Sequence, residues 1–216
     1  MDLLTVIRTA VACYLIGAIP TAYLIGRLNG VNIFEVGSGN MGTTNAVRAL
    51  GWGWGVVVLA IDVGKGVAAV ALAMALLPNG YAQVVGGLAA ILGHNWSLFA
   101  ALLTGRLRGG KGAATWMGTF LMIAPTPSIA LVVGLLAVII LLTRYVSLGV
   151  LLSVAAGAIS LAVLATNQIA GMPALVGAKE AYLAYGVLAA AMIFYRHRDN
   201  IRRLLAGTER RLGERV

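Results

Sequence analysis

Two short glycine-rich segments, Gly39–Gly42 and Gly109–Gly112, carry the residues best suited to chemistry, and each has the pattern G-x-x-G. Glycine tolerates positive φ and lets a backbone approach closely, so such segments can turn several N–H groups toward one anion. An apolar segment follows each of them, and the N-terminus of a helix there would also attract phosphate. The pattern favours two anion sites over the alternative that these glycines only form tight turns or pack helices.

Lys111 lies inside the second glycine segment, where we interpret it as a point charge for a phosphate. The run from Gly105 through Gly110 and Lys111 nearly forms a nucleotide-binding P-loop. Position 112 is glycine, however, where a P-loop has the serine or threonine that binds magnesium, and no strand–loop–helix context is predicted. These differences exclude a nucleoside-triphosphatase.

Other polar residues occur in pairs at helical spacing. His197 and Asn200 are three residues apart and share a helix face, which we interpret as functional. Asp62 and Lys65, inside an apolar segment, are either a self-neutralising pair or part of the site. For His94, in the middle or outer part of a membrane segment, we expect an interhelical hydrogen bond.

The acidic residues narrow the chemistry further. Asp199, Glu209 and Glu214 lie among the arginines of the C-terminal tail, and we count none of them in the site. No carboxylate pair for acid–base catalysis and no metal cluster then remains. Neither histidine is followed by the aspartate of the H-x-x-x-x-D acyltransferase pattern. Such a site suits anionic substrates that arrive already activated.

Composition sets the environment of these residues. Of 216 residues, 60% are hydrophobic and 11% are charged, with a mean hydropathy of +0.93, whereas soluble domains carry about 25% charged residues. A water-soluble enzyme, a disulfide-stabilised secreted domain and a disordered chain are excluded. We predict an all-α integral membrane protein, a polytopic helix bundle.

The apolar segments predict the number of crossings. They run over 3–28 with a kink at Pro20, 52–77, 81–103, 113–142 interrupted at Pro125–Pro127, 145–165, and from within 172–181 to 195. The two halves of 113–142 have 12 to 15 residues each, short for an ordinary span. The count is therefore five crossings if this pair is re-entrant and seven if it spans twice.

The charge distribution predicts the orientation. With an odd number of crossings, the two glycine-rich loops, the turn at Arg144 and the tail share one side and hold 13 basic residues, against Lys179 and at most Arg8 on the other. The positive-inside rule places that side in the cytoplasm and the N-terminus outside. The net charge of +9 is thus attributed to membrane topology, and no nucleic-acid partner is expected.

We divide the chain into one transmembrane domain, residues 1–195, with cytoplasmic loops at 29–51 and 104–112, and a basic amphipathic tail, residues 196–216. In the tail, Ile201, Leu204, Leu205 and Leu212 form an apolar stripe among arginines. Such a stripe is typical of a helix lying on an anionic leaflet. We expect the tail also to contribute His197 and Asn200 to the site.

These segments together resemble the signatures of the bacterial acyl-phosphate:glycerol-3-phosphate acyltransferase family (PlsY). The segment Gly37–Asn45 with Arg48 resembles the first signature. Gly93-His94, followed by Gly109–Gly112 and Thr115, resembles the second, and His197–Glu209 resembles the third. Two further family segments are similar to Asp62–Gly66 and Arg144–Gly149. Thr43 stands where the family usually has alanine, and His94 is about five residues further from Lys111 than usual.

The resemblance implies an activity and a fold. The activity is transfer of a fatty acyl group from acyl phosphate to the 1-hydroxyl of glycerol 3-phosphate, which gives lysophosphatidic acid and phosphate in the first step of phospholipid biosynthesis. The fold would be a bundle of seven transmembrane helices in the cell inner membrane, with its site on the cytoplasmic face. We expect no cofactor and no metal, membrane lipids as partners, and a monomer.

The same resemblance assigns roles to the site residues. Binding and orientation during catalysis fall to Ser38, Arg48, Lys111, His197 and Asn200. Phosphate binding falls to Gly37, Gly39, Asn40, Gly42, Thr44, Asn45, Gly109, Gly110, Gly112 and Thr115, and Asp62, Lys65 and His94 are candidates for a supporting role. A mixed anhydride needs no enzyme nucleophile. The competing hypothesis is a transporter of a phosphorylated solute, because interrupted helices and intramembrane charges also occur in transporters.

Overall fold

The computed structural model describes residues 2–77, 81–166 and 179–214, and in these ranges it contains eleven helices and a single antiparallel bridge between Ser97 and Arg108. The helices are α1 Leu3–Ala18, α2 Thr21–Leu28, α3 Thr43–Leu50, α4 Trp52–Leu76, α5 Tyr81–Asn95, α6 Leu98–Thr104, α7 Ala113–Ile123, α8 Thr126–Thr143, α9 Val146–Thr166, α10 Lys179–Arg196 and α11 Arg198–Leu205. The all-helical prediction is confirmed. The predicted loop at 29–51 differs in containing α3.

Two apolar segments are interrupted near the polar loops. The first breaks at Ile19 and Pro20, between α1 and α2, where the sequence places a kink. The third, predicted as continuous over 81–103, breaks after Asn95, because Ser97 begins a new helix. Its Oγ accepts the Ala100 N–H at 3.0 Å and donates to the Ala18 carbonyl. Both breaks bring backbone close to residues of the site.

The interrupted pair after the second loop is unequal in length. Pro125 precedes α8 and Pro127 lies in its first turn, where proline is well tolerated, so α8 begins early and reaches 18 residues. The preceding α7 has 11 residues. The expectation of two halves of 12 to 15 residues is therefore wrong for both helices.

Helix length and exposure both indicate a membrane environment. Four stretches of the described chain are long and apolar enough to cross a bilayer: 3–28 (α1 with α2), α4, α8 and α9. Only 11% of the apolar window of α8 is buried, and Leu141 and Leu142 are 80% and 78% exposed. Surfaces this apolar are stable against lipid and not against water.

Glycines set the closest helix contacts, as is common where bilayer lipid removes the hydrophobic drive for helix association. Between α4 and α7, a Cβ added to Gly66 would lie 2.3 Å from the Thr115 carbonyl oxygen, and one added to Gly118 would lie 2.0 Å from that of Val63. The two backbones therefore touch. This contact fixes α7, whose first residue directly follows the second glycine loop.

We predict that Gly118→Ala destabilises the protein by about 1–3 kcal/mol, because the new methyl group forces α4 and α7 apart. Gly134→Ala is the matched control, since a Cβ there would meet nothing within 4 Å. The measurement is the thermal unfolding midpoint in detergent. Equal midpoints for the two variants would contradict the close contact.

The three polar segments, 29–42, 105–112 and 197–214, meet at one end of the bundle. The guanidinium of Arg108 lies over the ring of Phe34, 5.0 Å from its centroid, and joins the first segment to the second. The side chain of Arg196, at the end of α10, donates to two carbonyls of the second segment. Residues about 70 to 160 positions apart in sequence thereby form one surface.

Candidate active site

The second glycine loop rests directly on the end of α5. The N–H of Gly110 donates to the carbonyl of His94 at 3.0 Å. A Cβ on Gly109 would lie 2.2 Å from the Asn95 carbonyl oxygen, and one on Gly110 would lie 1.9 Å from Nε2 of His94. His94 therefore lies under the loop, and its expected place in the middle or outer part of the membrane segment is wrong.

Arg196 holds the same loop from the other side. Its Nε donates to the Gly110 carbonyl at 2.9 Å and its Nη2 to the Gly109 carbonyl at 3.1 Å. With the Gly110 N–H already bonded to His94, the loop cannot direct all its N–H groups at one phosphate. The first-turn N–H groups of α7 remain, because Gly112 provides no side-chain cap there. The beginning of α7, and not the whole loop, is therefore the candidate anion site.

Lys111 is fixed by the C-terminal segment. Its ammonium group donates a short hydrogen bond to Oδ1 of Asn200, and Nδ2 of Asn200 donates to Oε1 of Glu209 at 2.6 Å. A carboxylate can only accept, so Glu209 fixes which end of the Asn200 amide faces Lys111. The structure thus joins two residues that the sequence placed in separate motifs.

Glu209 is the functional residue that sequence reasoning missed. Its side chain is 7% exposed, and it also accepts from Nε of Arg203 at 2.7 Å and from Oγ of Ser147 at 2.9 Å. In the sequence it is one acid in an arginine-rich tail. The available signal was its place at the end of the third signature, in the pattern Gly207-x-Glu209.

More positively charged side chains than carboxylates act on Lys111. Burial lowers the pKa of Lys111 to about 8, the Glu209 carboxylate opposes that shift, and Arg203, Arg196 and Arg48 add to it. Lys111 therefore keeps its proton at neutral pH, but only narrowly. A bound phosphate would supply the missing negative charge.

Arg48, in the last turn of α3, makes no hydrogen bond or ion pair with any described residue although it is half-buried. Burial lowers its pKa, Arg210 and Arg203 lower it further, and the carboxylates of Glu209 and Glu214 oppose this shift in part. A guanidinium that is partly desolvated, next to another cation and without a hydrogen-bonded partner favours an anionic ligand.

His197 is a neutral side chain at the start of α11. Its Nδ1 lies 2.8 Å from the carbonyl oxygen of Ile193, which can only accept, so Nδ1 carries the proton and Nε2 keeps a lone pair. Burial and the charge of Lys111 lower its pKa to about 4. At neutral pH it can accept a hydrogen bond from a hydroxyl group, and it cannot act as a cation.

Asn45 builds the first loop. Its Nδ2 donates to the carbonyls of Ile33 and Val36 at 3.0 and 3.1 Å, and its Oδ1 accepts the Ser38 N–H at 2.8 Å. All of its polar atoms are used and it is 2% exposed, so the prediction that Asn45 binds phosphate is wrong. Gly37, with φ of 62°, passes over the amide with no room for a Cβ.

The remaining first-loop residues are accessible. Ser38 is exposed, and Nδ2 of Asn40 donates to the backbone carbonyl of Ser38 at 3.1 Å. Gly39 has φ of 64°, Gly42 caps α3, and Thr44 is half-buried in its first turn. Within the described residues, no hydrogen bond joins Ser38 to Lys111 or Asn200. Their roles in binding stay predictions.

Four buried polar residues lie behind the second loop: Thr21, Asp62, Lys65 and His94. Lys65 and Asp62 form an ion pair at 2.8 Å, Thr21 donates to Asp62 at 3.0 Å, and His94 Nδ1 lies 3.8 Å from the same carboxylate oxygen. Lys65 also donates to the Ile19 carbonyl at 3.0 Å. The pair thus neutralises itself within the bundle, and His94 is the residue that lies beneath Gly110. The interhelical hydrogen bond expected of His94 is wrong, since its Nδ1 has no hydrogen-bond partner among the described residues.

Thr115, in the first turn of α7, is 0% exposed and its Oγ1 has no partner among the described residues. A phosphate on the protein surface would not reach it. Across the described ranges, no three His, Cys, Asp or Glu side chains converge as metal ligands would.

The site as a whole combines Lys111, Arg48 and the beginning of α7 with a neutral histidine acceptor. Fixed cations and helix N–H groups bind phosphate groups and stabilise negative charge that develops in a reaction. A neutral imidazole orients a hydroxyl group. The arrangement suits group transfer between two phosphorylated molecules.

Known proteins with similar sequences agree with this chemistry. The family profile described as glycerol-3-phosphate acyltransferase matches residues 7–207. A glycerol-3-phosphate acyltransferase of Thermus thermophilus is 43% identical over 212 residues, 96% of each chain. Glycerol-3-phosphate acyltransferase 1 of Deinococcus radiodurans is 42% identical over 215 residues, 99% of this chain and 98% of its own.

Solved structures show the same fold. A crystal structure of PlsY (YgiH), an integral membrane glycerol 3-phosphate acyltransferase in its glycerol 3-phosphate form, has a TM-score of 0.80 and 34% identity over 96% of both chains. The lysophosphatidic acid form has a TM-score of 0.78 and 33% identity, covering 96% of this chain and 95% of its own.

Proposed function

This chain belongs to the glycerol-3-phosphate acyltransferase family, and from that premise we propose that it transfers a fatty acyl group from acyl phosphate to the 1-hydroxyl of glycerol 3-phosphate. The products are 1-acyl-glycerol 3-phosphate and inorganic phosphate. The observation that carries this proposal is Lys111, which Asn200 holds two residues before α7 begins and whose pKa the charge of the unpartnered Arg48 lowers. Both reactants carry a phosphate, and this surface offers cations for two.

The reaction needs little from the protein beyond position and charge. The hydroxyl oxygen attacks the acyl carbonyl carbon, the bond from that carbon to the phosphate oxygen breaks, and phosphate leaves with the electron pair. Holding both reactants together removes the entropy cost of their encounter. Lys111 and Arg48 stabilise the negative charge that develops on the oxygens.

The hydroxyl proton has two acceptors to consider. His197 is neutral, with Nε2 free to accept a hydrogen bond, but its pKa of about 4 makes it a weak base. An oxygen of the departing phosphate is a stronger one. We therefore assign His197 and Asn200 to orientation, and the proton to the phosphate of the donor.

The site is proposed to face the cytoplasm, with the N-terminus outside and seven crossings, or five if α7 and α8 are re-entrant. The 13 basic residues of the loops and tail support this orientation. Donor acyl chains would then lie among the helices and lipids of the inner leaflet. We propose a monomer, since the site is built from one chain.

The test is an assay of the purified protein with palmitoyl phosphate and glycerol 3-phosphate. We expect equal amounts of released phosphate and acylated product. Palmitoyl-CoA in place of palmitoyl phosphate should give no product. A protein that accumulates labelled glycerol 3-phosphate in sealed vesicles and forms no acylated product would be a transporter, and the proposal would fail.

The pKa of Lys111 predicts a pH dependence. Above pH about 8 Lys111 loses its proton, so kcat/KM for glycerol 3-phosphate should fall by up to about tenfold per pH unit. Lys111→Arg keeps its charge to far higher pH and should show a lower but flat profile between about pH 7.5 and 9.5. The measurement is the initial rate at limiting glycerol 3-phosphate. A flat profile in the wild type would contradict Lys111 as the binding cation.

A further inference from the structure

The turn between α8 and α9, residues 144 and 145, has an unusual backbone conformation. Arg144 has φ of 63° and is the one non-glycine residue with positive φ in the described ranges. This conformation costs free energy for a residue with a Cβ, and it persists where surrounding contacts demand it. Glycine is the ordinary residue at such a helix end. The contacts that hold Arg144 in this shape therefore need an explanation.

Those contacts come from the C-terminal segment. The backbone N–H of Leu212 donates to the Arg144 carbonyl at 2.7 Å, and Nη2 of Arg144 donates to the Leu212 carbonyl at 2.7 Å. The guanidinium of Arg211 lies 5.5 Å from the centroid of the Tyr145 ring. Two consecutive residues of the turn thus hold two consecutive residues of the tail.

Ser147 makes the third contact and reaches the site. It lies in the first turn of α9 and is 7% exposed. A serine at a helix start usually accepts from backbone N–H groups, but its Oγ instead donates to Oε1 of Glu209 at 2.9 Å. Among the described residues, it is the one hydrogen-bond partner of Glu209 from outside the C-terminal segment, since Asn200 and Arg203 both belong to α11.

A chain of hydrogen bonds therefore leads from the turn to the reacting site. Ser147 fixes Glu209, Glu209 fixes the orientation of the Asn200 amide, and Asn200 accepts from Lys111. We propose that Ser147, supported by the Arg144–Leu212 contact, is a positioning residue that holds Lys111 through Glu209 and Asn200. This inference rests on the proposed function, because it gives Lys111 the role of binding a substrate phosphate.

A purely structural role for Ser147 would leave the electrostatics of Lys111 unchanged. The positioning role does not, because Glu209 is the negative charge that opposes the lowered pKa of Lys111. When Glu209 is held less firmly, Lys111 should lose its proton at lower pH. The pH profile of kcat/KM thus separates the two roles.

The experiment compares Ser147→Ala with Ser147→Thr in the full-length protein. We expect Ser147→Ala to lower kcat/KM for glycerol 3-phosphate about tenfold, the effect of losing one hydrogen bond to a charged group. The midpoint pH of the decrease in kcat/KM should also be lower than in the wild type. Ser147→Thr keeps the hydroxyl group, so it should restore kcat/KM to within about twofold and return the midpoint pH to the wild-type value. The matched control is Ser153→Ala, on the same helix, whose buried hydroxyl has no partner among the described residues.

A wild-type kcat/KM for Ser147→Ala would overturn the proposal, and so would a lower value with an unchanged midpoint. If Ser147→Ala does not fold, Arg144→Gly replaces it, because glycine adopts the same φ and lacks the guanidinium that holds Leu212. About threefold lower kcat/KM is then expected, and an unchanged value overturns the proposal. A wild type without acyltransferase turnover is a different result, since it refutes the proposed function itself.

Discussion

Lys111→Ala is expected to lower kcat/KM for acyl transfer by about a thousandfold, because fixed positive charge at a reacting phosphate contributes several kcal/mol to the transition state. Alanine also leaves the Asn200 amide oxygen without its donor. The measurement is phosphate release from palmitoyl phosphate at saturating and at limiting glycerol 3-phosphate. We expect kcat to fall as well as the affinity.

Arg106→Ala is the matched control for this loss. Arg106 belongs to the same loop and has the same charge, but it is exposed and lies outside the hydrogen bonds of Lys111. Its loss should change kcat/KM less than about twofold, as for a surface cation that serves only topology. Equal losses in the two variants would mean that the loop acts through its overall charge and would contradict the site.

Gly110→Ala is expected to lower kcat/KM by about a hundredfold, the second largest effect. The added Cβ would lie 1.9 Å from Nε2 of His94, so the loop must lift away from α5 and carry Lys111 off Asn200. Displacements of about 1 Å at a reacting centre have effects of this order. Initial rates under the same assay measure the loss.

A second substitution tests the cause of that loss. Removing the imidazole with His94→Ala makes room for the methyl group, so the double variant should recover at least about tenfold over Gly110→Ala alone. Gly105→Ala offers no comparable test, since Gly105 has positive φ. A Gly110→Ala protein with wild-type rates would show that the loop has space the structure does not give it.

The sequence predicted the parts of this molecule that depend on local pattern. Long apolar runs predicted the helices, and proline and glycine marked the breaks at Pro20 and Pro125. The break after Asn95 could not be predicted in this way, because Ser97 ends an apolar run by bonding to Ala18, 79 residues earlier. Tertiary contacts of this kind leave no trace in hydropathy.

The site residues likewise divide into those that local motifs predict and those that depend on tertiary contacts. Residue type and motif identify Lys111 and Asn200, and the structure brings them together. The family resemblance assigns Asn45 to phosphate binding, but its amide donors are used by the loop that it folds. Glu209 was not predicted as a site residue, because in the sequence it lies among the arginines of the C-terminal tail. Its burial against Ser147, which decides its role, depends on a contact 62 residues away.

The proposed site holds both reactants at once and transfers the acyl group directly from one to the other. A rapid-quench measurement tests it by mixing near-stoichiometric protein with palmitoyl phosphate, first alone and then with glycerol 3-phosphate. Direct transfer predicts no phosphate burst until glycerol 3-phosphate is present, and one acylated product per phosphate afterwards. Release of one phosphate per protein before the acceptor is added, with the acyl group bound covalently to the chain, would contradict it.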